Sequence, residues 1–242
     1  MSKPLFLLLV GLVVCVVPAV AEKPGDKQKA SLPTDGLEGL GFSVAPRDGG
    51  KAQTSLFGVA AEGYKFVYVF DRSGSMSGRG REALQAVKGE LLRSLKPLDE
   101  VHQFQIVFYN EQPILFNPSG TPGRLAFATV ENKRRVERFL EGLSADGGTE
   151  HENALRMAIR LHPDVIFFLT DADDPKLSAT QLERIQRMAA GTIIHAIEFG
   201  PGPKPQGQTF VEDLARQNGG KYRYIDIGSL SGQKRAKVSP ES

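Results

Sequence analysis

A single cysteine in 242 residues leaves this chain without an intrachain disulfide, and that cysteine, Cys15, sits in an apolar N-terminal segment. A chain of this length buries enough surface to fold without such staples, so the lack excludes only the small disulfide-rich scaffolds. Histidine is almost as scarce. His102, His151, His162 and His195 fall at no metal-ligand spacing, which removes the common zinc patterns. The chain has no G-x-S-x-G elbow and no phosphate-binding glycine loop, and no cysteine nucleophile beyond the N-terminal segment. Charge of one sign is missing too: 30 Lys and Arg face 28 Asp and Glu, a formal balance of +2. No basic stripe is interleaved with aromatics, so nucleic acid is not an expected partner. No internal repeat occurs.

What is present begins with a targeting pattern. Lys3 precedes the apolar stretch 5–17, and Ala19-Val20-Ala21 forms a small-x-small cleavage site before Glu22. The alternative is an uncleaved anchor, but the apolar stretch 5–20 contains Pro18 and falls short of the ~20 residues a spanning helix needs. Residues 1–21 are therefore read as a signal peptide and the protein as exported, to a bacterial-type periplasm, the cell envelope or the medium. No integral membrane span is expected after cleavage. Residues 22–56 are rich in Gly, Pro, Lys, Asp and Ser and read as a flexible linker. Residues 229–242, with Lys234, Arg235 and Lys237, read as a disordered basic tail.

Between these ends, 57–228 alternates strands with helices. Strands are predicted at 65–70 and 164–170, and their runs 66–70 and 165–169 are apolar throughout, as expected of strands covered on both faces. Further strands are predicted at 103–109, 192–199 and 221–225, with a short return strand at 113–116 after the turn at Asn110. Helical periodicity marks 81–95, 130–143, 150–161 and 177–189. A last helix follows Thr209, which stands three residues before Glu212 as in a capping box. This order predicts a three-layer, doubly wound, Rossmann-like α/β fold with a mostly parallel sheet. Ligands of such sheets sit at the carboxyl ends of the strands.

Two of those ends carry oxygen donors. Asp71, Ser73 and Ser75 follow the first apolar strand, Thr170-Asp171 closes the second, and Gly147-Gly148-Thr149 precedes a helix. Carboxylates with hydroxyls form a hard donor set, suited to Mg²⁺, Mn²⁺ or Ca²⁺ rather than zinc. The pattern Asp-x-Ser-x-Ser, then a distant Thr, then a distant Asp, resembles the metal-ion-dependent adhesion site (MIDAS) of von Willebrand factor type A domains. The resemblance covers about 57–228. It implies one antiparallel edge strand in the sheet. It also implies a divalent cation, Mg²⁺ first, held by Asp71, Ser73, Ser75, Thr149 and Asp171. A coordination position is left open there for an Asp or Glu carboxylate of a protein partner. The residues beside the motif, Arg72, Met76, Glu150, His151 and Asp173, are the candidate partner-binding rim. Arg79, Arg81 and Asp174 add further charge. Ala172 stands where the family commonly has glycine. The implied function is binding, not catalysis.

Other readings of the same residues exist. Thr149 with Glu152 matches a capping box, so Thr149 has a purely structural use as a helix cap. The stretch 71–82 has the length of an EF-hand loop, but Met76 occupies the glycine position and a strand precedes it. Asp71, Thr170 and the Asp173-Asp174 pair resemble parts of a Mg²⁺-dependent phosphohydrolase of haloacid dehalogenase type, yet Ser73 stands where the acid-base Asp belongs. A scaffold with a purely structural metal is the third alternative.

Overall fold

The computed structural model describes residues 50–77, 80–173 and 175–229, with side chains from 83 onward in the first helix. The stretch 1–21 read as a signal peptide, most of the stretch read as a linker, the stretch read as a basic tail apart from Ser229, and Arg79, Asp174 and the Arg81 side chain lie outside the described residues.

Among the described residues nine strands and five α-helices follow in order. The first two form a two-stranded antiparallel hairpin, β1 (Ala52–Leu56) and β2 (Val59–Gly63). The alternation then runs β3 (Lys65–Asp71), α1 (Gly80–Leu95), β4 (Gln103–Tyr109), β5 (Ile114–Leu115), β6 (Ala126–Phe127) and α2 (Val130–Glu141). It continues α3 (His151–Ile159), β7 (Val165–Thr170), α4 (Ala179–Met188), β8 (Ile193–Gly200), α5 (Phe210–Gln217) and β9 (Tyr222–Asp226). The main sheet has the order β5-β4-β3-β7-β8-β9, parallel from β4 through β9. Where one antiparallel edge strand was expected, β4 carries two short ones, with β6 at Gln103 and Phe104 and β5 at Val107 and Phe108.

Strand side chains alternate between two packed faces, because successive residues of a pleated strand point to opposite sides. Phe66, Tyr68 and Phe70 of β3 pack with Leu84, Val87 and Leu91 of α1 and with Val136 of α2. Val67 and Val69 turn the other way, among Ala154, Leu155 and Ala158 of α3, Ile185 of α4 and Val211 and Leu214 of α5. Both faces being covered is why these strands read as unbroken apolar runs.

The hairpin does not fit the linker reading of 22–56. Residues 52–56 are strand, and Leu56, Phe57 and Val59 join the α1-side core. A five-residue run with alternate burial is too short to stand out by periodicity alone. Its anchor is a buried polar junction. The Thr54 hydroxyl lies 2.8 Å from the Ser94 hydroxyl, which lies 2.8 Å from the Tyr68 hydroxyl.

Helix ends follow their sequence signals closely. Ser178 and Gln181 form a reciprocal capping box on α4. Thr209 accepts the Glu212 N–H at the start of α5. After α5 the chain passes so close to β8 that a Cβ on Gly220 would lie 1.8 Å from the Ile194 carbonyl oxygen, so only glycine fits there.

Candidate metal site

β3 and β7 are neighbours, with Phe70 opposite Leu169, so Asp71 and Thr170 end their strands side by side. Asp71 is 1% exposed. Its Oδ1 accepts the Ser73 N–H at 2.8 Å, and its Oδ2 accepts the Thr170 hydroxyl at 2.7 Å. The Ser73 and Ser75 hydroxyls are 3.1 Å apart, and Ser75 reaches the Asp171 carboxylate. Ser73 is buried and Ser75 exposed, so this chain of oxygens runs from the core out to solvent.

The loop before α3 is fastened to the same turn. The Gly74 N–H donates to the Gly147 carbonyl at 2.9 Å. Gly147 has φ +73, and a Cβ on it would sit 2.8 Å from the Asn110 side-chain nitrogen. Both features select glycine. Thr149, two residues on, is buried, and it does not cap α3: the N-cap is Glu150, without a side-chain cap bond. Glu152, the other half of the capping-box reading, bonds instead to Gln181 and Arg184 of α4.

Electrostatics set this cluster apart. Burial pushes the Asp71 carboxyl above the usual carboxylate range, against hydrogen bonds from Ser73 and Thr170 that hold it down. Asp171 is likewise raised, by burial first and also by the Asp71 charge. Among the described residues, neither takes part in an ion pair. Taking a carboxylate out of water costs several kcal/mol, and two charge-assisted hydrogen bonds return roughly 1.5–3 kcal/mol each. Those bonds offset only part of the penalty, since the Asp71 carboxyl stays raised, and the Asp71 charge in turn disfavours ionisation of Asp171. A divalent cation fits what is left over. Among the described residues no group of three or more His, Cys, Asp or Glu side chains is gathered to hold a metal. Any ion here therefore depends on hydroxyl oxygens beside the two carboxylates.

The candidate rim divides. Glu150 and Asp173 are exposed, as a contact surface requires. Arg72, Met76 and His151 are 7%, 0% and 2% exposed, and this corrects their assignment to a partner-binding rim. Arg72 follows Asp71 and points elsewhere, its guanidinium 2.7 Å from Asp146 and near the Ser144 and Gln112 carbonyls. Met76, on a short 3-10 turn, enters the α1-side core. His151 turns inward to the Tyr109 hydroxyl at 2.8 Å, and burial lowers its pKa to about 4. Tyr109 escaped the sequence reading, and Thr170 entered it only as a strand end and as part of the phosphohydrolase alternative. Tyr109 and Thr170 line the floor beneath Asp71, and a strand-end position beside each candidate carboxylate was the only signal available.

This sheet order with helices on both faces, and with candidate oxygen donors at the strand ends, is that of a von Willebrand factor type A domain. The family model for that domain matches residues 65–224, and the chain belongs to the family. Among curated proteins it is 30% identical, over 183 residues, to inter-alpha-trypsin inhibitor heavy chain H4 of Homo sapiens. That match covers 68% of this chain and 18% of the human protein, so the chain spans under a fifth of that relative's length. Among solved structures, a von Willebrand factor type A protein from Catenulispora acidiphila aligns with a TM-score of 0.58 at 21% identity, over 74% of this chain and 43% of that one. Proximal thread matrix protein 1 of the mussel byssus, with zinc occupying its MIDAS motif, aligns at 0.51 and 15% identity, over 78% and 48%. Among the described residues no helix is long and apolar enough to cross a membrane.

Proposed function

We propose that this chain is an exported binding module that captures a protein, or another carboxylate-bearing ligand, through a divalent cation held by Asp71, Ser73, Ser75, Thr149 and Asp171. One observation carries the reading: Asp71 is a buried carboxylate beside a second carboxylate, hydrogen-bonded to neutral donors, with no cationic side chain paired to either among the described residues. When bound, a divalent ion supplies the compensating charge and an electrophilic point for one outside anionic oxygen. The residues do the rest. Asp71 and Asp171 contribute the negative charge, and the Ser73, Ser75 and Thr149 hydroxyls contribute neutral oxygens that leave the ion's charge incompletely cancelled. Ser75 and the exposed Glu150 and Asp173 mark the side from which a partner approaches.

Hard oxygen donors put Mg²⁺ first, with Mn²⁺ and Ca²⁺ next. The mussel relative's zinc-occupied motif adds zinc to the ions worth titrating. Export rests on the pattern of residues 1–21. Binding is placed ahead of catalysis because the pieces shared with a phosphohydrolase are otherwise engaged. The Thr170 hydroxyl is committed to Asp71, and Asp173 is exposed.

The test is calorimetric titration of the wild type and Asp71→Ala with Mg²⁺ and Mn²⁺. Heat with the wild type and none with the variant is expected, and no heat with either metal overturns the ion site. Capture of a partner that persists in chelator would reduce the ion to a structural role.

A further inference from the structure

Arg72 stands between two candidate ligands, Asp71 and Ser73, yet it is buried and its guanidinium goes to the loop before α3. Nη1 donates to Asp146 Oδ1 at 2.7 Å and to the Ser144 carbonyl at 3.5 Å, and Nη2 to the Gln112 carbonyl at 3.4 Å. The backbone answers in the opposite direction, the Asp146 N–H donating to the Arg72 carbonyl at 2.8 Å. Arg72 and Asp146 are thus joined twice. Asn110, just past β4, holds the same residue. Its side-chain nitrogen donates to the Asp146 carbonyl and to Oδ1, both at 2.9 Å, while its own Oδ1 accepts the Gln112 N–H at 2.7 Å. One residue further on, the Gly147 carbonyl takes the Gly74 N–H.

These bonds matter because of where the loop leads. Residues 142–150, between α2 and α3, hold no helix or strand, and they end at Thr149 and Glu150. With no ladder to place it, such a segment is positioned by side-chain and turn bonds. An ion that had to order the loop itself would lose binding free energy to the loop's conformational entropy. Arginine suits the task better than lysine, since its planar fork reaches several acceptors at once where an ammonium is a single point charge. The Arg72 side chain is 9% exposed and that of Asp146 61%, so the enclosed partner is the cation.

We propose that Arg72, Asp146 and Asn110 form a latch that sets the Thr149 loop against the Asp71–Ser75 turn before any ion arrives, making Arg72 and Asp146 positioning residues for cation binding. Two ligand-bearing stretches, far apart in sequence, are thereby held together in the metal-free protein. The role in affinity rests on the metal site proposed above, whereas the latch itself stands without it.

Hydrogen exchange in chelator reads the latch with no ion present. The Asp146 and Gly74 amides, which bond across the two segments, are expected to exchange about 10-fold faster in Arg72→Met and in Asp146→Ala, as the loss of a hydrogen-bonded contact implies. Amides within β3 and β7 keep their rates. Asp146 is solvated enough that its truncation opens no core, so the test survives a failure of Arg72→Met to fold. Mg²⁺ calorimetry reads the positioning. Each single variant is expected to raise Kd about 10–100-fold, the usual effect of removing a group that orients a metal ligand. The double variant is expected to match Asp146→Ala alone, because partners in one contact do not act additively. Unchanged exchange in both single variants overturns the latch. Faster exchange with wild-type Kd overturns the positioning role, and Kd effects that multiply in the double variant overturn the pairing. Absence of heat from the wild type sinks the metal reading and the affinity role with it, while exchange still decides the latch.

Discussion

Directly after Asp171, Ala172 adopts φ +58, one of three non-glycine residues in the left-handed region among those described. That conformation costs a residue with a Cβ about 1–2 kcal/mol. It is maintained by the Ala172 N–H bonding to the Thr170 hydroxyl at 3.1 Å, so the turn below Asp171 and the support of Asp71 share one oxygen. The glycine that the family commonly places here would relieve the strain, less roughly 0.4–1 kcal/mol of added unfolded-state entropy. Ala172→Gly is therefore expected to stabilise by up to about 1.5 kcal/mol, measured as a higher denaturation midpoint with Mg²⁺ affinity retained. Arg72, Met76 and His151 carry the complementary lesson. Each lies within two residues of a candidate ligand in sequence, and each faces inward, because neighbouring residues at a strand or helix end point in different directions.

For whole elements, the informative case is the N-terminal hairpin. β1 and β2 lie on the α1 side of the sheet, where Phe57 packs edge-on against Phe199 at 5.2 Å and its N–H donates to Glu90 at 3.0 Å. The Thr54–Ser94–Tyr68 junction joins this hairpin to α1 and to β3, the strand that ends in Asp71. Ser94→Ala would leave the buried Tyr68 hydroxyl without this partner and weaken the hold on Thr54. A loss of roughly 1–3 kcal/mol is expected, read as a lower urea midpoint with an unchanged m-value. A shallower m-value would mean that the hairpin detaches alone, and would put the junction outside the cooperative unit. The helices needed no such rescue. Their apolar stripes and caps are local signals, and α4 and α5 begin one residue after their predicted caps.

At the level of the whole molecule, two uncompensated carboxylates couple metal, pH and stability. Asp71 and Asp171 have folded pKa values raised above the ordinary 3.8, so the metal-free native state holds protons that the unfolded chain has released. Their contribution therefore favours the metal-free fold at low pH. It is lost as pH rises from about 4 through the folded values. The ion proposed for this site would require both groups ionised, so the order is expected to reverse in its presence. At a free Mg²⁺ concentration near 100 times Kd, the gain is expected to be about 2.7 kcal/mol at neutral pH. It should shrink as pH falls toward 4 and vanish in chelator. Thermal melts across pH with and without Mg²⁺ check this, and a pH-independent increment would remove Asp71 and Asp171 from the binding set.

What the residues alone determined was everything local or periodic. The two fully apolar strands, the helical stripes, the caps at Ser178 and Thr209, and the order of oxygen donors from Asp71 to Asp171 are all short-range patterns. They suffice for the fold class and the candidate ligand set. Tertiary structure decided the rest. It made β3 and β7 neighbours, gave β4 two short edge partners, and turned residues 52–56 into strand by burying Thr54 against Ser94. It released Thr149 from capping, and it placed Tyr109 opposite Asp71 with His151 against the Tyr109 hydroxyl. Each of these depends on which surfaces meet across long sequence separations, and burial energy at such contacts is a property of the pair rather than of either segment.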